Sequence, residues 1–101
     1  MFVGISRIQL FIPSSASLKD KRQVVRSVVD SVRRHNNVAM TEIEHQNLWQ
    51  RAGLGVACVA SSEAGCFKVL QQVEKTVSRS IVGLAEIVGC ERVAVALEDL
   101  I

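Results

Sequence analysis

Apolar and polar residues alternate at the start of the chain as they do in a β-strand with one buried face. The alternation runs from Gly4 within the segment 2–12, and Pro13 ends it because proline has no amide hydrogen to donate. One face of the predicted strand carries Ile8, Leu10 and Ile12. The other face is only partly polar and carries Ile5, Arg7, Gln9 and Phe11.

The pattern then changes to the spacing of an amphipathic helix. Ser17 and Asp20 form an S-x-x-D signal, which predicts a helix that begins near Leu18. At about 100° per residue, one stripe of the helix collects the apolar residues Leu18, Val25, Val28, Val29 and Val32. We expect the helix to continue to about His35.

The middle of the chain predicts two further strands. Residues 38–44 are typical of a strand, but neither set of alternate positions is purely apolar, so the orientation stays open and a bulge is possible. Residues 45–53 predict a loop or an extended hairpin tip. The apolar run 54–60 is typical of a central strand.

A second helix and a last strand complete the chain. Ser62, or the serine before it, can cap a helix from about Glu63 to Arg79, because apolar residues recur there at helical spacing. Residues 93–97 alternate as a strand does. Gly89 predicts a kink or bulge, which leaves open whether residues 84–88 belong to the same strand.

The order strand, helix, strand, strand, helix, strand defines the fold class. Two right-handed crossovers fold it into an α+β, ferredoxin-like βαββαβ sandwich, with a four-stranded antiparallel sheet and two helices on one face. At 101 residues, we expect a single domain over residues 1–101. The uncovered sheet face, with Ile5 and Phe11, predicts a homodimer through the sheet or an edge strand.

Basic residues are concentrated in the first third of the chain. Residues 1–35 contain seven Lys or Arg and two acidic residues, a net charge of +5. Residues 36–101 contain five against eight, a net charge of −3. This asymmetry indicates one basic surface, which suits an anionic partner.

The cysteines and the N-terminus limit the class of protein. Cys58, Cys66 and Cys90 are odd in number, form no CxxC pair and have no His at ligand spacing. This disfavours a disulfide scaffold or a structural zinc site, and it predicts buried thiols. No signal-peptide pattern and no window of about 18 apolar residues is present. We therefore expect a cytoplasmic protein that makes no membrane contact.

The first predicted helix carries a row of cations beside its apolar stripe. Four of them lie within about 60° of one another and form what we call the basic row: Lys19, Arg22, Arg26 and Arg33. Such a row on a rigid helix can bind phosphates, and it can equally be the solvated face that any surface helix needs. Lys21 falls near the apolar stripe, where we expect its chain to extend towards water.

Polar functional groups are densest around the connection between the second and third strands. The cluster contains Glu42, Glu44, His45, Gln46, Trp49, Gln50 and Arg51. Acid–base catalysis would need His45 bonded to a carboxylate and facing a pocket, which spacing does not show. A lone His with acids nearby is more often a structural hydrogen-bonding residue, and we favour that role. A single His beside two carboxylates is a weak metal pattern, so we expect no metal site.

Trp49 is the only tryptophan in the chain. Stacking on a base and anchoring a protein interface are two interpretations of an aromatic residue in a loop. Packing as a lid over the sheet edge is the third, and we favour it. No P-loop, GxGxxG, GxSxG or RNP-type aromatic motif is present, so we expect no cofactor, no catalytic residues and no enzyme activity.

Three segments of the chain resemble a known family. The opening MFVGISRIQLFIP, the helix start SLKDKRQVVRSV and above all EIEHQNLWQRAGLGVA are similar to the YlxP-like family of small bacterial proteins, a domain of unknown function. The family-motif residues are Glu44, His45, Gln46, Trp49, Gln50 and Arg51. The resemblance implies a ferredoxin-like fold and a bacterial cytosolic protein. Genes of this family often lie among genes for translation initiation and ribosome maturation, which implies a link to RNA or the ribosome and assigns no catalytic residue.

Two functions compete at this point, and a third, an enzyme centred on His45 and Glu44, ranks below them and would need a deep pocket around His45. The first is a small binding protein that contacts RNA or the ribosome; its candidate residues are Lys19, Arg22, Arg26, Arg33, Trp49 and Arg51. The alternative is a homo-oligomeric interaction module that uses the open sheet face and has no role with nucleic acid. A steep salt dependence of binding would favour the first function.

Overall fold

The computed structural model describes all residues from 1 to 101 and contains four strands and three helices. In chain order these are β1 (Phe2–Phe11), α1 (Leu18–His35), β2 (Ala39–Glu44), β3 (Arg51–Ala60), α2 (Glu63–Ser80), β4 (Glu86–Ala96) and α3 (Leu97–Leu100). No helix is both long enough and apolar enough to cross a bilayer.

The four strands form one antiparallel sheet in the order β2-β3-β1-β4. α1 lies over β2 and β3, and α2 lies over β1, β3 and β4. Both long helices therefore cover the same face. The predicted ferredoxin-like βαββαβ fold is confirmed, and so is the predicted assignment of faces along β1.

The core lies between the helices and the covered face of the sheet. Alternate residues of the two central strands point into it, among them Ile8, Leu10, Leu54 and Val56, each at most 3% exposed. They pack against the apolar stripe of α1 and against α2, in a cluster of 17 buried residues. The apolar residues at every second position of the strands thus pack against those at every third or fourth position of the helices.

The strand boundaries differ from the sequence predictions at both edges of the sheet. β4 begins at Glu86, and its pairing shifts between Ile87 and Gly89, so Val88 is the extra residue of a bulge. A second bulge lies at Ile43 in β2. Leu97, predicted at the end of a strand, begins α3 instead. Both bulges lie on edge strands, where irregular pairing is common.

The prediction of buried thiols is wrong for one cysteine. Cys58 and Cys66 are buried, whereas Cys90 lies exposed on the edge strand β4, and all three are free. Burial raises the pKa of the Cys58 thiol, and the neighbouring Cys66 raises it further. The pKa of the Cys90 thiol is also raised, mainly by partial burial and to a smaller extent by the carboxylate of Glu74.

Candidate nucleic-acid interface

Helix α1 begins where its first side chains satisfy the free backbone amides. The Ser17 hydroxyl accepts a hydrogen bond from the Asp20 amide at 3.0 Å. The Asp20 carboxylate accepts one from the Ala16 amide, also at 3.0 Å. This reciprocal cap sets the start of the helix, and with it the direction in which every cation of α1 points.

The members of the basic row all lie on the exposed side of α1. Lys19, Arg22 and Arg26 have no acidic partner within 4.0 Å. Arg33 differs, because its guanidinium donates to the Met40 carbonyl of edge strand β2 at 2.8 Å. Asp30 lies on the same side of the helix and reduces the local charge. The row therefore offers three uncommitted cations and one that is partly engaged.

Lys21 does not extend into water as its sequence position predicts. Its side chain is fully buried and its ammonium group lies 2.9 Å from a carboxylate oxygen of Glu42. The same ammonium donates to the carbonyls of His45 at 2.8 Å and Gln46 at 3.0 Å. The buried charge is thus paired and ties α1 to the connection between β2 and β3.

The connection between β2 and β3, residues 45–50, is a tight and well-anchored tip. His45 has φ of 61°, in the left-handed region, and its carbonyl also accepts from the Leu48 amide at 3.0 Å. The Gln50 side chain donates to the Pro13 carbonyl at 2.9 Å and so ties the tip to the loop after β1. The half-buried ring of His45 makes no hydrogen bond within the chain.

Trp49 does not pack as a lid over the sheet edge. It is 54% exposed at the tip, beside Leu48, which is 49% exposed. The favoured interpretation of Trp49 as a packing residue is therefore wrong, since a lid would be largely buried. Its indole is available to a partner.

The family-motif residues do not form one cluster of side chains. Glu44 turns to the open sheet face, where it accepts from Gln9 at 2.9 Å. His45 and Gln46 face α1 through their carbonyls. Arg51 is exposed at the start of β3 and forms no ion pair. The motif thus serves two faces of the molecule, and Lys21 is its partner on α1.

The open face of the sheet carries an ion-pair network that spacing along the sequence did not indicate. Arg7 on β1 pairs with Glu91 on β4, and its Nη1 lies 3.7 Å from Glu44 on β2. The hydrogen bond from Glu91 raises the pKa of Arg7, and the charges of Glu91 and Glu44 add to the effect. Strand register alone, which places Glu91 opposite Arg7, would have identified this pair.

A shallow groove of about 800 Å³ crosses the open face from β2 to β4. Its floor is Ala57 and Gly55 on β3, and its walls include Ile5 and Ile43. Arg33 reaches one end and Glu91 lies at the other. Half of the 14 residues that line the groove are hydrophobic, and none is aromatic, so the groove has no platform on which a base could stack.

Two comparisons with sequences identify relatives of the chain. The family described as "Protein of unknown function (DUF503)" matches residues 3–92. The uncharacterized protein YlxP of Bacillus subtilis (strain 168) is 37% identical over 71 residues, which are 70% of this chain and 77% of that protein. The resemblance found in the three motif segments is therefore confirmed.

Solved structures are similar in fold. A de novo designed protein with a ferredoxin fold gives a TM-score of 0.58 at 12% identity, over 93% of this chain and 84% of that one. A putative chlorite dismutase gives the same TM-score and identity over 99% of this chain, but only 47% of its own length. At such identity the likeness shows the fold alone. The family model and the relative show that the chain belongs to the DUF503 family, a family of unknown function, which here has a ferredoxin-like fold.

Proposed function

We propose that this protein is a small, non-enzymatic RNA-binding protein that holds the phosphate backbone with the basic row of α1. The observation that carries the proposal is the freedom of Lys19, Arg22 and Arg26, which are exposed side by side on one rigid helix and paired with no acid. Cations arranged in this way displace several counterions when they meet a polyanion. Arg33 extends the row when its guanidinium also reaches a phosphate.

Aromatic contact is the second part of the proposal. Trp49 is exposed on a tip that Lys21 and Gln50 hold in place, so its indole is available for stacking at little entropic cost. Arg51 lies two residues after Trp49 and adds a further cation. The groove of the open face has no part in this proposal, because no aromatic residue lines it.

The choice of RNA follows from the family. The family resemblance implies a gene that often lies among those for translation initiation and ribosome maturation, and on that ground we take ribosomal RNA in the cytoplasm as the proposed ligand. Phosphate contacts carry no sequence information directly. Binding through the basic row alone should therefore extend to RNA of unrelated sequence.

The test is the salt dependence of RNA affinity. Each phosphate contact adds roughly 0.7–0.9 to the magnitude of the log–log salt slope, so Arg22→Gln with Arg26→Gln should lower the slope by about 1.4–1.8. Glutamine keeps helix propensity, so α1 should remain folded. The probes are purified ribosomal RNA and an unrelated hairpin of defined length, with affinity measured between about 50 and 200 mM salt.

A matched control removes two cations elsewhere. Lys75 and Arg79 are exposed on α2 and form no ion pair, so Lys75→Gln with Arg79→Gln changes the net charge by the same amount. This control should keep the wild-type slope. Equal loss in both double variants would mean that only net charge matters, and wild-type protein that binds neither RNA at low salt would refute the proposal.

A further inference from the structure

The open face of the sheet has a pattern of large and small side chains that matches itself. Register places Val93, Ile5, Ala57 and Ala39 in one row across β4, β1, β3 and β2. The row is uncharged throughout. The side chains on β4 and β1 are large and project from the sheet, whereas those on β3 and β2 are alanines and form the floor of the groove. Ile5 and Val93 are 46% and 44% exposed, so the high half is not covered within the chain.

We propose that a second copy of this chain covers the open face, related to the first by a two-fold axis parallel to the strands. Such an axis, placed between β1 and β3, lays β1 of each copy over β3 of the other and β4 over β2. Ile5 then enters the groove above Ala57 of the second copy, and Val93 lies above Ala39. This contact is isologous, as closed dimers require.

The alternative axis, perpendicular to the strands, is disfavoured by the same pattern. Placed near the middle of the strands, where the two sheets overlap most, it would lay each strand over its own copy in the reverse direction, so that Ile5 approaches the charged row of the second copy. That row contains Arg7 and Glu91, opposite each other in register. Burying apolar groups against charges costs free energy, whereas the parallel axis keeps the apolar end on the apolar end.

The ion pair at the centre of the open face is already formed within one copy. Arg7 pairs with Glu91 and lies near Glu44, and Gln9 bonds to Glu44. An ion pair that enters an interface complete leaves no isolated charge behind. Arg33 and Glu91 lie at opposite ends of the groove, and the parallel axis brings each towards the opposite sign in the second copy.

The size of the face suits a stable dimer, and the edges of the sheet do not offer a better one. Strands β1, β3 and β4 extend about 33–36 Å, the six-residue β2 extends about 20 Å, and four strands span about 19 Å. The footprint is about 600 Å², at the lower end of the roughly 600–1,000 Å² per partner of stable interfaces. At the β2 edge, Arg33 donates a hydrogen bond to the Met40 carbonyl. At the β4 edge, the bulge at Val88 interrupts the regular pairing pattern. Face-to-face pairing therefore takes precedence over strand addition.

The test begins with the mass of the full chain in solution. Sedimentation of wild-type protein at about 100 μM should give a dimer, and Ala57→Arg, which fills the floor of the groove, should abolish it. Val82→Arg is the matched control, because Val82 is 79% exposed outside the sheet, and it should leave the dimer intact. A wild-type monomer at this concentration, or a dimer that survives Ala57→Arg, would overturn the inference.

A second measurement needs no substitution and reports the axis directly. In a sample mixed from isotope-labelled and unlabelled protein, a filtered NOE experiment detects only contacts between copies. The Ile5 methyl groups should show such contacts with the Ala57 methyl of the other copy. A dimer whose Ile5 contacts lie instead on residues of β1 would contradict the parallel axis. The RNA-binding test replaces only Arg22 and Arg26, which do not line the groove, so the two proposals can fail separately.

Discussion

Lys19 and Lys21 lie two residues apart on the same helix and have opposite surroundings. Lys19 is exposed in the basic row, with no partner. Lys21 is fully buried, and its ammonium group holds one carboxylate and two backbone carbonyls. A helix turns about 200° in two residues, so the cap at Ser17 assigns one lysine to solvent and the other to the interior. Position on the helix, rather than residue type, decides what each lysine does.

The comparison separates two roles within one set of basic residues. The buried lysine contributes to the position of the tip that carries Trp49, while the exposed row contributes charge. Replacing an exposed cation changes the free energy of unfolding little, because water solvates the charge in both the folded and unfolded states. A buried cation with several partners leaves those partners unsatisfied when it is removed.

The largest expected effect is on Lys21. Lys21→Met should reduce the free energy of unfolding by about 3–5 kcal/mol, because the Glu42 carboxylate and two carbonyls lose their partner. Lys19→Met is the matched control and should stay within about 0.5 kcal/mol of wild type. Urea unfolding of both variants measures the difference. Similar stabilities for the two would mean that burial of Lys21 contributes nothing to the fold.

A smaller effect on stability is expected at the tip. Trp49→Ala should change the free energy of unfolding by at most about 0.5 kcal/mol, because the residue is more than half exposed. RNA affinity should fall by about 1–3 kcal/mol with little change in the salt slope, since stacking involves no counterion release. Thermal melting and RNA titration measure the two quantities. A loss of stability typical of a buried aromatic, about 3–5 kcal/mol, would restore the lid interpretation.

Much of the fold could be predicted from the sequence because local signals and the hydrophobic period agree. Ser17 and Asp20 predicted the start of α1 at Leu18, and the cap is formed by those two side chains. Alternation along β1 predicted the buried and open faces. The start of β4 at Glu86 was left open, because the bulge at Val88 interrupts the period on which a strand prediction depends.

The candidate site was predictable only in part. The exposed side of α1 follows from helical spacing, so the four residues of the basic row were identified correctly as surface residues. The partners of Lys21 were not, because a lysine near an apolar stripe can reach water or a buried acid, and the choice depends on where the tip folds. The prediction that Trp49 packs over the sheet edge was wrong for the same reason, since the sequence does not show on which side of the tip the indole lies.

The most direct test of the central claim is an NMR titration of the labelled full chain with a short RNA hairpin at low salt. Backbone and side-chain signals report where the RNA lies, without any substitution. We expect the largest chemical-shift changes on Lys19, Arg22 and Arg26, with smaller changes on Trp49 and little change on Lys21. Shifts confined to the open sheet face, or no shifts at millimolar RNA, would contradict it.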